Sequence, residues 1–496
     1  MPALRGPTAP AWPSRPYVGT GETVVSNEYD LIVIGSGPAG QRAAIAAAKL
    51  GRRAAVVERN MDVGGSCIHR GTIPSKTLRE VVAYLSGVRQ RPTYGAAFRV
   101  KERIGVADLT MRTQHVISAE TNIVRDQLIR NGIDIIPGTA SFADPHHIVA
   151  STEDGSRTVT ADKAVIAVGS RPLRPERFEF DDRTIIDSDG LLTLSEIPRS
   201  MTVVGAGIIG AEYATIFQTA GVQVTLIDSR ERPMEALDDE IEDALYYHMR
   251  NDGITLRFGE TVSAVRKTSA GPVRVETASG KVLLTDALMV AAGRAGASAD
   301  LKLDRAGVET DRKGRIKVDE TYRTTVPNIY AVGDVIGSLS LASTSMEQGR
   351  LAALHACGVQ APAMSTRLVY GIYTIPEVAM VGPTEQQLTR LAVPYEVGVV
   401  PFRELSRVQI SGGRDGILKL LFHRETLKVL AVHILGQSAT ELIHIGQAVI
   451  DHGGTVNYLR DVVFNYPTLA EAYKGAALNG LNKLVPTVPA DVAGGG

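Results

Sequence analysis

The sequence predicts an α/β protein in which one supersecondary unit is used twice. The stretch YDLIVIGSGPAG, from Tyr29, is an apolar strand that runs into Gly35, Gly37 and Gly40. The stretch SMTVVGAGIIG, from Ser200, repeats the pattern with Gly205, Gly207 and Gly210. In both copies a helix-like segment and a second apolar strand follow. That strand ends on an acid, Glu58 or Asp228, 23 positions after the first glycine. A single glycine turn of this kind is weak evidence, but two copies with an acid at the same offset are strong.

Each position has a physical reason. The first glycine permits a tight turn, the second lets the backbone approach a pyrophosphate, and the third lets the helix pack on the strand. Exposed amides and the positive end of the helix dipole favour phosphate. The terminal acid can accept hydrogen bonds from a ribose diol. The two units therefore predict two bound dinucleotides, a retained flavin and an exchangeable nicotinamide. A third signal, IYAVGDV from Ile329, is a short strand ending in Gly333 and Asp334. It offers a contact for the sugar-alcohol chain of FAD.

Composition narrows the class. The chain has 496 residues, enough for two to four domains, with 44% hydrophobic and 22% charged residues. A net charge of -1 gives no electrostatic reason to expect nucleic acid or an anionic membrane surface. No apolar run is long enough to span a bilayer, and no metal-ligand cluster is expected. Two cysteines, Cys67 and Cys357, are too few for a disulfide scaffold and fit a cytoplasmic protein. Residues 1–28, which hold Trp12, and the tail 485–496 are expected to be disordered or flexible extensions.

The order of the motifs carries a resemblance. The first glycine turn, the loop GGSCIHRGTIPSK (64–76), the second glycine turn, YAVGD and YTIPEVAMVGPTEQQL (373–388) resemble the FAD-dependent pyridine nucleotide-disulfide oxidoreductases over residues 29–484. The resemblance implies two Rossmann-like domains, for FAD and for NAD(P), plus an α+β C-terminal dimerisation domain. FAD would occupy 29–171 and 291–362, the nicotinamide 172–290, and the interface domain 363–484. It assigns Gly35, Gly37, Gly40, Glu58, Gly65, Lys76, Gly169 and Asp334 to FAD. It assigns Gly205, Gly207, Gly210, Asp228 and Gly293 to NAD(P). A homodimer, with larger homo-oligomers left open, is the implied assembly.

Two departures from the family pattern shape the expected activity. Its reductases carry two cysteines five apart in this loop; here Cys67 remains and Thr72 stands at the second position. Their C-terminal His-Pro-Thr-x-x-Glu appears here as Tyr466, Pro467, Thr468 and Glu471. A tyrosine of ordinary pKa is a poor thiol base, and exchange needs a second sulfur. The thiol half-reaction is thus expected to be missing. Lys76 and Glu212 match the family's ion pair beside the flavin N5, so the flavin half is expected to remain. Thr72 and Tyr466 take the places of the lost relay groups. Cys67 reads as a small hydrophobe and Cys357 as structural. His69 reads as a loop histidine, with a flavin contact as the alternative.

What remains is hydride exchange among NAD(H), NADP(H) and FAD. FNYPTLAEAYKGAALNGLNKL, TELIHIGQAV and GIYTIPE resemble the family branch whose members trade hydride between two nicotinamide nucleotides. The expected reaction is reversible ping-pong transfer between NADPH and NAD+. In LIDSRER, Asp228 suits the 2′-hydroxyl of NAD, while Arg230 and Arg232 could fork a 2′-phosphate. Two rival readings stay open: a diaphorase-type reductase of quinones, and a non-catalytic subunit.

Overall fold

The structure is a computed structural model, and it describes residues 28–95, 97–268, 271–337, 340–413 and 416–484. The expected N-terminal extension up to residue 27 and the tail from 485 lie outside the described residues. Two compact units emerge. One gathers the described residues up to Cys67 with Glu120–Arg171 and Ala295–Met364; the other gathers Ile68–Ala119, Pro172–Arg294 and the chain from Ser365.

The first unit is built on a seven-stranded sheet. Strand Glu28–Ile34 lies parallel to Ala54–Glu58 on one side and to Gly155–Ile166 on the other. Asp134–Pro137 extends the parallel part beyond Ala54–Glu58. Besides Glu28–Ile34, Gly155–Ile166 serves two further neighbours along its length. Its first half pairs antiparallel with His147–Thr152, and its last residues pair parallel with Ile329–Ala331. Parallel strands are covered on both faces and so read as unbroken apolar runs. Leu31, Ile32, Val33 and Ile34 are accordingly all buried. Helix Pro38–Lys49 packs against helix Ala342–Ala356, where a Cβ on Gly349 would fall 2.0 Å from the Ala39 carbonyl oxygen.

The second unit carries the repeat. Ser200–Val204 runs parallel to Gln223–Asp228 and to Ala287–Val290 in a five-stranded sheet. A three-stranded antiparallel sheet, Val262–Lys267, Val273–Thr277 and Val282–Thr285, is inserted before Ala287–Val290. The chain ends in a five-stranded antiparallel sheet from Val369–Ile372 to Val429–Gly436. Helices Ala439–Asp451 and Glu471–Asn482 follow it. One core runs through this unit. Leu78 and Val82 of helix Thr72–Leu85, Ala211 and Phe217 of helix Ile208–Thr219, and Ile372 and Val378 of the C-terminal sheet all belong to it. Among the described residues no helix is long and apolar enough to cross a membrane.

Candidate active site

The two glycine turns have almost the same geometry. Gly35 and Gly205 adopt φ of +101° and +102°, a region that L side chains rarely enter. A Cβ at Gly40 would fall 1.9 Å from the Gly35 carbonyl oxygen, and one at Gly210 would fall 1.8 Å from that of Gly205. These helices can approach their strands only through glycine. Gly37 and Gly207 differ: a Cβ at either would meet nothing within 4 Å. Each is the N-cap of its helix, and neither helix has a side-chain cap. Open space beside uncapped amides is what a pyrophosphate requires, so both turns fit a dinucleotide.

The terminal acids are buried and held by their own turns. In the first unit Glu58 accepts the Ser36 amide at 3.0 Å and the Ser36 hydroxyl at 2.5 Å, and Asn60 donates twice to its other oxygen at 2.9 Å. The Gly64 amide donates to Ser36 Oγ at 2.9 Å, and a Cβ at Gly65 would fall 2.8 Å from Gly37 Cα. The start of the 64–76 loop is thereby fastened to the glycine turn. Asp334 accepts the Ser170 hydroxyl at 2.6 Å, and Gly169 beside it has φ of +71°.

In the second unit Asp228 accepts the Ala206 amide at 2.8 Å and the Arg230 amide at 2.9 Å. Arg230 also grips it with two side-chain bonds, Nε at 3.0 Å and Nη2 at 2.9 Å. Burial opposes ionisation of Asp228, but the bonds from Arg230 and the Ala206 amide outweigh it and hold its pKa below the usual carboxylate range. Arg232 reaches elsewhere, to Glu242 at 2.8 Å and Asp243 at 3.0 Å on helix Asp239–Asn251. Both arginines therefore have acidic partners within the chain. Gly293 has φ of +108°, and a Cβ there would lie 3.5 Å from Leu173 Cδ1.

Lys76 and Glu212 come together as the sequence suggests. Helix Thr72–Leu85 presents Lys76, helix Ile208–Thr219 presents Glu212, and Nζ lies 2.9 and 2.7 Å from the two carboxylate oxygens. The carboxylate is 5% exposed and the lysine 25%, so the cation keeps one accessible side. Thr72 is the first residue of its helix and is exposed. Tyr466 is exposed too and shares a 2.7 Å hydrogen bond with Ser406 rather than with Lys76 or Glu212. No disulfide joins Cys67 and Cys357. Burial raises the pKa of the Cys357 thiol, as suits a structural residue.

One neighbour escaped the sequence reading. The ring of Tyr373 faces Lys76, with Nζ 4.8 Å from its centroid, and its amide donates to Glu212 at 2.8 Å. Tyr373 lies in YTIPE, a stretch recognised only as a family motif. Its contact joins residues far apart in sequence and leaves no periodic trace.

Two glycine cradles on parallel strand pairs, with a lysine–carboxylate pair beside the second, are the framework of an oxidoreductase handling two dinucleotides. The chain belongs to the pyridine nucleotide-disulphide oxidoreductase family: the family profile matches residues 29–349, and the profile of its dimerisation domain matches 368–477. A soluble pyridine nucleotide transhydrogenase of Mycobacterium bovis (strain BCG / Pasteur 1173P2) is 54% identical over 461 residues, covering 92% of this chain and 98% of the relative. One from Shigella boydii is 46% identical over 464 residues, covering 92% and 99%. Among solved structures, the HOCl-induced flavoprotein disulfide reductase RclA of Escherichia coli, in a Cu(II) complex, superposes with a TM-score of 0.83 at 27% identity, covering 91% of this chain and 99% of that one. LpdA of Mycobacterium tuberculosis does so with a TM-score of 0.83 at 28% identity, covering 90% and 99%.

Proposed function

We propose that this chain is a pyridine nucleotide transhydrogenase, moving hydride reversibly between NADPH and NAD+ with no redox disulfide. The single observation that carries the reading is a preserved Lys76–Glu212 pair in a chain with Thr72 at the second sulfur position and Tyr466 at the thiol-base position. The machinery beside the flavin is kept and the route to a thiol is closed. The two relatives named above carry this activity in their names.

In this reading the first turn, Glu58, Gly65, Gly169 and Asp334 hold FAD, and the second turn, Asp228 and Gly293 hold the nicotinamide nucleotide. Bound FAD would supply a two-electron acceptor and donor common to both nicotinamides. Lys76 supplies positive charge at the ring, where electron density rises on reduction, and Glu212 fixes the ammonium in place. Thr72 presents a hydroxyl where a sulfur would otherwise offer electrons a second exit.

Asp228 receives the ribose of NAD(H) through its carboxylate. For NADP(H), Arg230 exchanges its bonds to Asp228 for bonds to the 2′-phosphate; its side chain is half exposed. The segment 363–484 pairs two copies into a homodimer, and the two cysteines fit a reducing cytoplasm. Ping-pong exchange follows because one nucleotide site serves both nicotinamides in turn. The test is anaerobic conversion of NAD+ to NADH at the expense of NADPH by purified protein. Turnover with a quinone and none with NAD+ would replace this reading with that of a diaphorase.

A further inference from the structure

The loop from Tyr373 to Glu377 links strand Val369–Ile372 to strand Glu377–Val381, and on the way it bonds to two helices. On helix Thr72–Leu85 it meets Lys76 and Arg79; on helix Ile208–Thr219 it meets Glu212 and Thr215. Both pairs are spaced i, i+3, so each lies on one helix face. The Tyr373 amide donates to Glu212 at 2.8 Å and the Ile375 amide to Thr215 Oγ1 at 3.2 Å. Arg79 Nε donates to the Thr374 carbonyl at 3.0 Å, and its guanidinium pairs with Glu377 at 3.0 Å, with both side chains buried. Thr440 then holds the other Glu377 oxygen through its amide and its hydroxyl, at 3.2 and 2.8 Å. This strap brings the Tyr373 ring to Lys76.

We propose that Tyr373 is a positioning residue for Lys76, its ring face and amide together fixing where the ammonium sits. The proposal rests on the reading that Lys76 serves the flavin. Lysine is a point charge on a flexible four-carbon stem, and a single carboxylate leaves that stem free to swing. Glu212 Oε1 accepts from both Lys76 and the Tyr373 amide, so the strap fixes the carboxylate as well as the cation. A ring centroid within 6 Å attracts the ammonium through its negative face. Burial keeps the phenol protonated by raising its pKa, so the cation meets a neutral ring.

The test uses the holoenzyme with Tyr373→Leu, Tyr373→Met, Tyr373→Phe, Lys76→Met and the double variant Lys76→Met/Tyr373→Leu. The readouts are the midpoint potential of the bound flavin and its rate of reduction by NADPH. Acetylation of Lys76, followed by mass spectrometry in flavin-free protein, gives a third. Tyr373→Leu and Tyr373→Met lower the potential, slow reduction about fivefold and speed acetylation, whereas Tyr373→Phe recovers all three. In the Lys76→Met background Tyr373→Leu adds nothing. If Tyr373→Leu shifts the potential equally with and without Lys76, or leaves it unchanged, the positioning role is overturned while the transhydrogenase reading stands. If Lys76→Met is silent, the assignment of Lys76 itself fails and takes this proposal with it. Tyr373→Met stands in if the leucine variant does not fold.

Discussion

At the scale of single residues, two sets of ion pairs matter most. Lys76 and Glu212 form the pair assigned to the flavin, and replacing Lys76 with Met should slow flavin reduction by NADPH and by NADH alike, by about tenfold or more, with FAD still bound. Stopped-flow absorbance of the flavin band measures it, and equal rates for variant and wild type would remove Lys76 from the chemistry. Arg230 and Arg232 are near neighbours with different partners. Arg230 holds a buried carboxylate beside the nucleotide turn, while Arg232 ties into the acidic start of helix Asp239–Asn251. Arg230→Ala should weaken NADPH by about tenfold and NADH far less, because one charged hydrogen bond to a phosphate is worth roughly 1.5–3 kcal/mol. Arg232→Ala should lower thermal stability and alter the two affinities equally, because Glu242, 1% exposed, would lose its cation. Titration of flavin fluorescence with each nucleotide separates these outcomes.

The element that organises the chain is the strand–glycine turn–helix–strand unit, and it was legible because its constraints are local. Gly40 and Gly210 cannot be anything larger, since the clash distances of 1.9 and 1.8 Å are to backbone atoms that cannot move aside. Gly37 and Gly207 face open space, so their reason lies with the ligand rather than the fold. Gly37→Ala should therefore leave the circular dichroism spectrum and the folded yield unchanged while the protein loses most of its FAD. Gly207→Ala should keep FAD and raise the KM for both nicotinamides. Loss of folding in either variant would show that these glycines serve the strand–helix packing. What was not legible depends on tertiary contact. LIDSRER shows two arginines, but only the structure pairs one with Asp228 and the other with a helix that begins seven residues later. The Tyr373–Glu377 strap was invisible for the same reason.

At the scale of the whole molecule, buried charge joins the start of helix Asp239–Asn251 to the C-terminal sheet of the second unit. Lys419, 1% exposed, lies 2.8 Å from Asp238, 3.1 Å from Glu240 and 2.5 Å from Glu385. His433 is its cross-strand neighbour, donates to or accepts from nothing at Nδ1, and is fully buried. Burial pushes the His433 pKa down to about 4, with Asp238 acting against the shift and Lys419 adding to it. The unfolded chain takes up this proton below about pH 6.5 and the folded chain does not until about pH 4. Stability from neutral His433 is thus complete above pH 6.5 and falls as the pH drops towards 4, by up to about 3 kcal/mol. The melting temperature should fall between pH 6.5 and 4.5, and His433→Gln should flatten that slope; an unchanged slope would assign the acid sensitivity to other groups.

The proposed route takes hydride from one nicotinamide to the other through bound flavin. Its most direct test is a sequential-mixing stopped-flow experiment without oxygen, in which NADPH first bleaches the flavin and NAD+ is added after NADP+ has left. The oxidised flavin spectrum should return within the turnover time, with one NADH formed for each flavin reoxidised. A flavin that stays bleached under NAD+ but recovers with a quinone would contradict it.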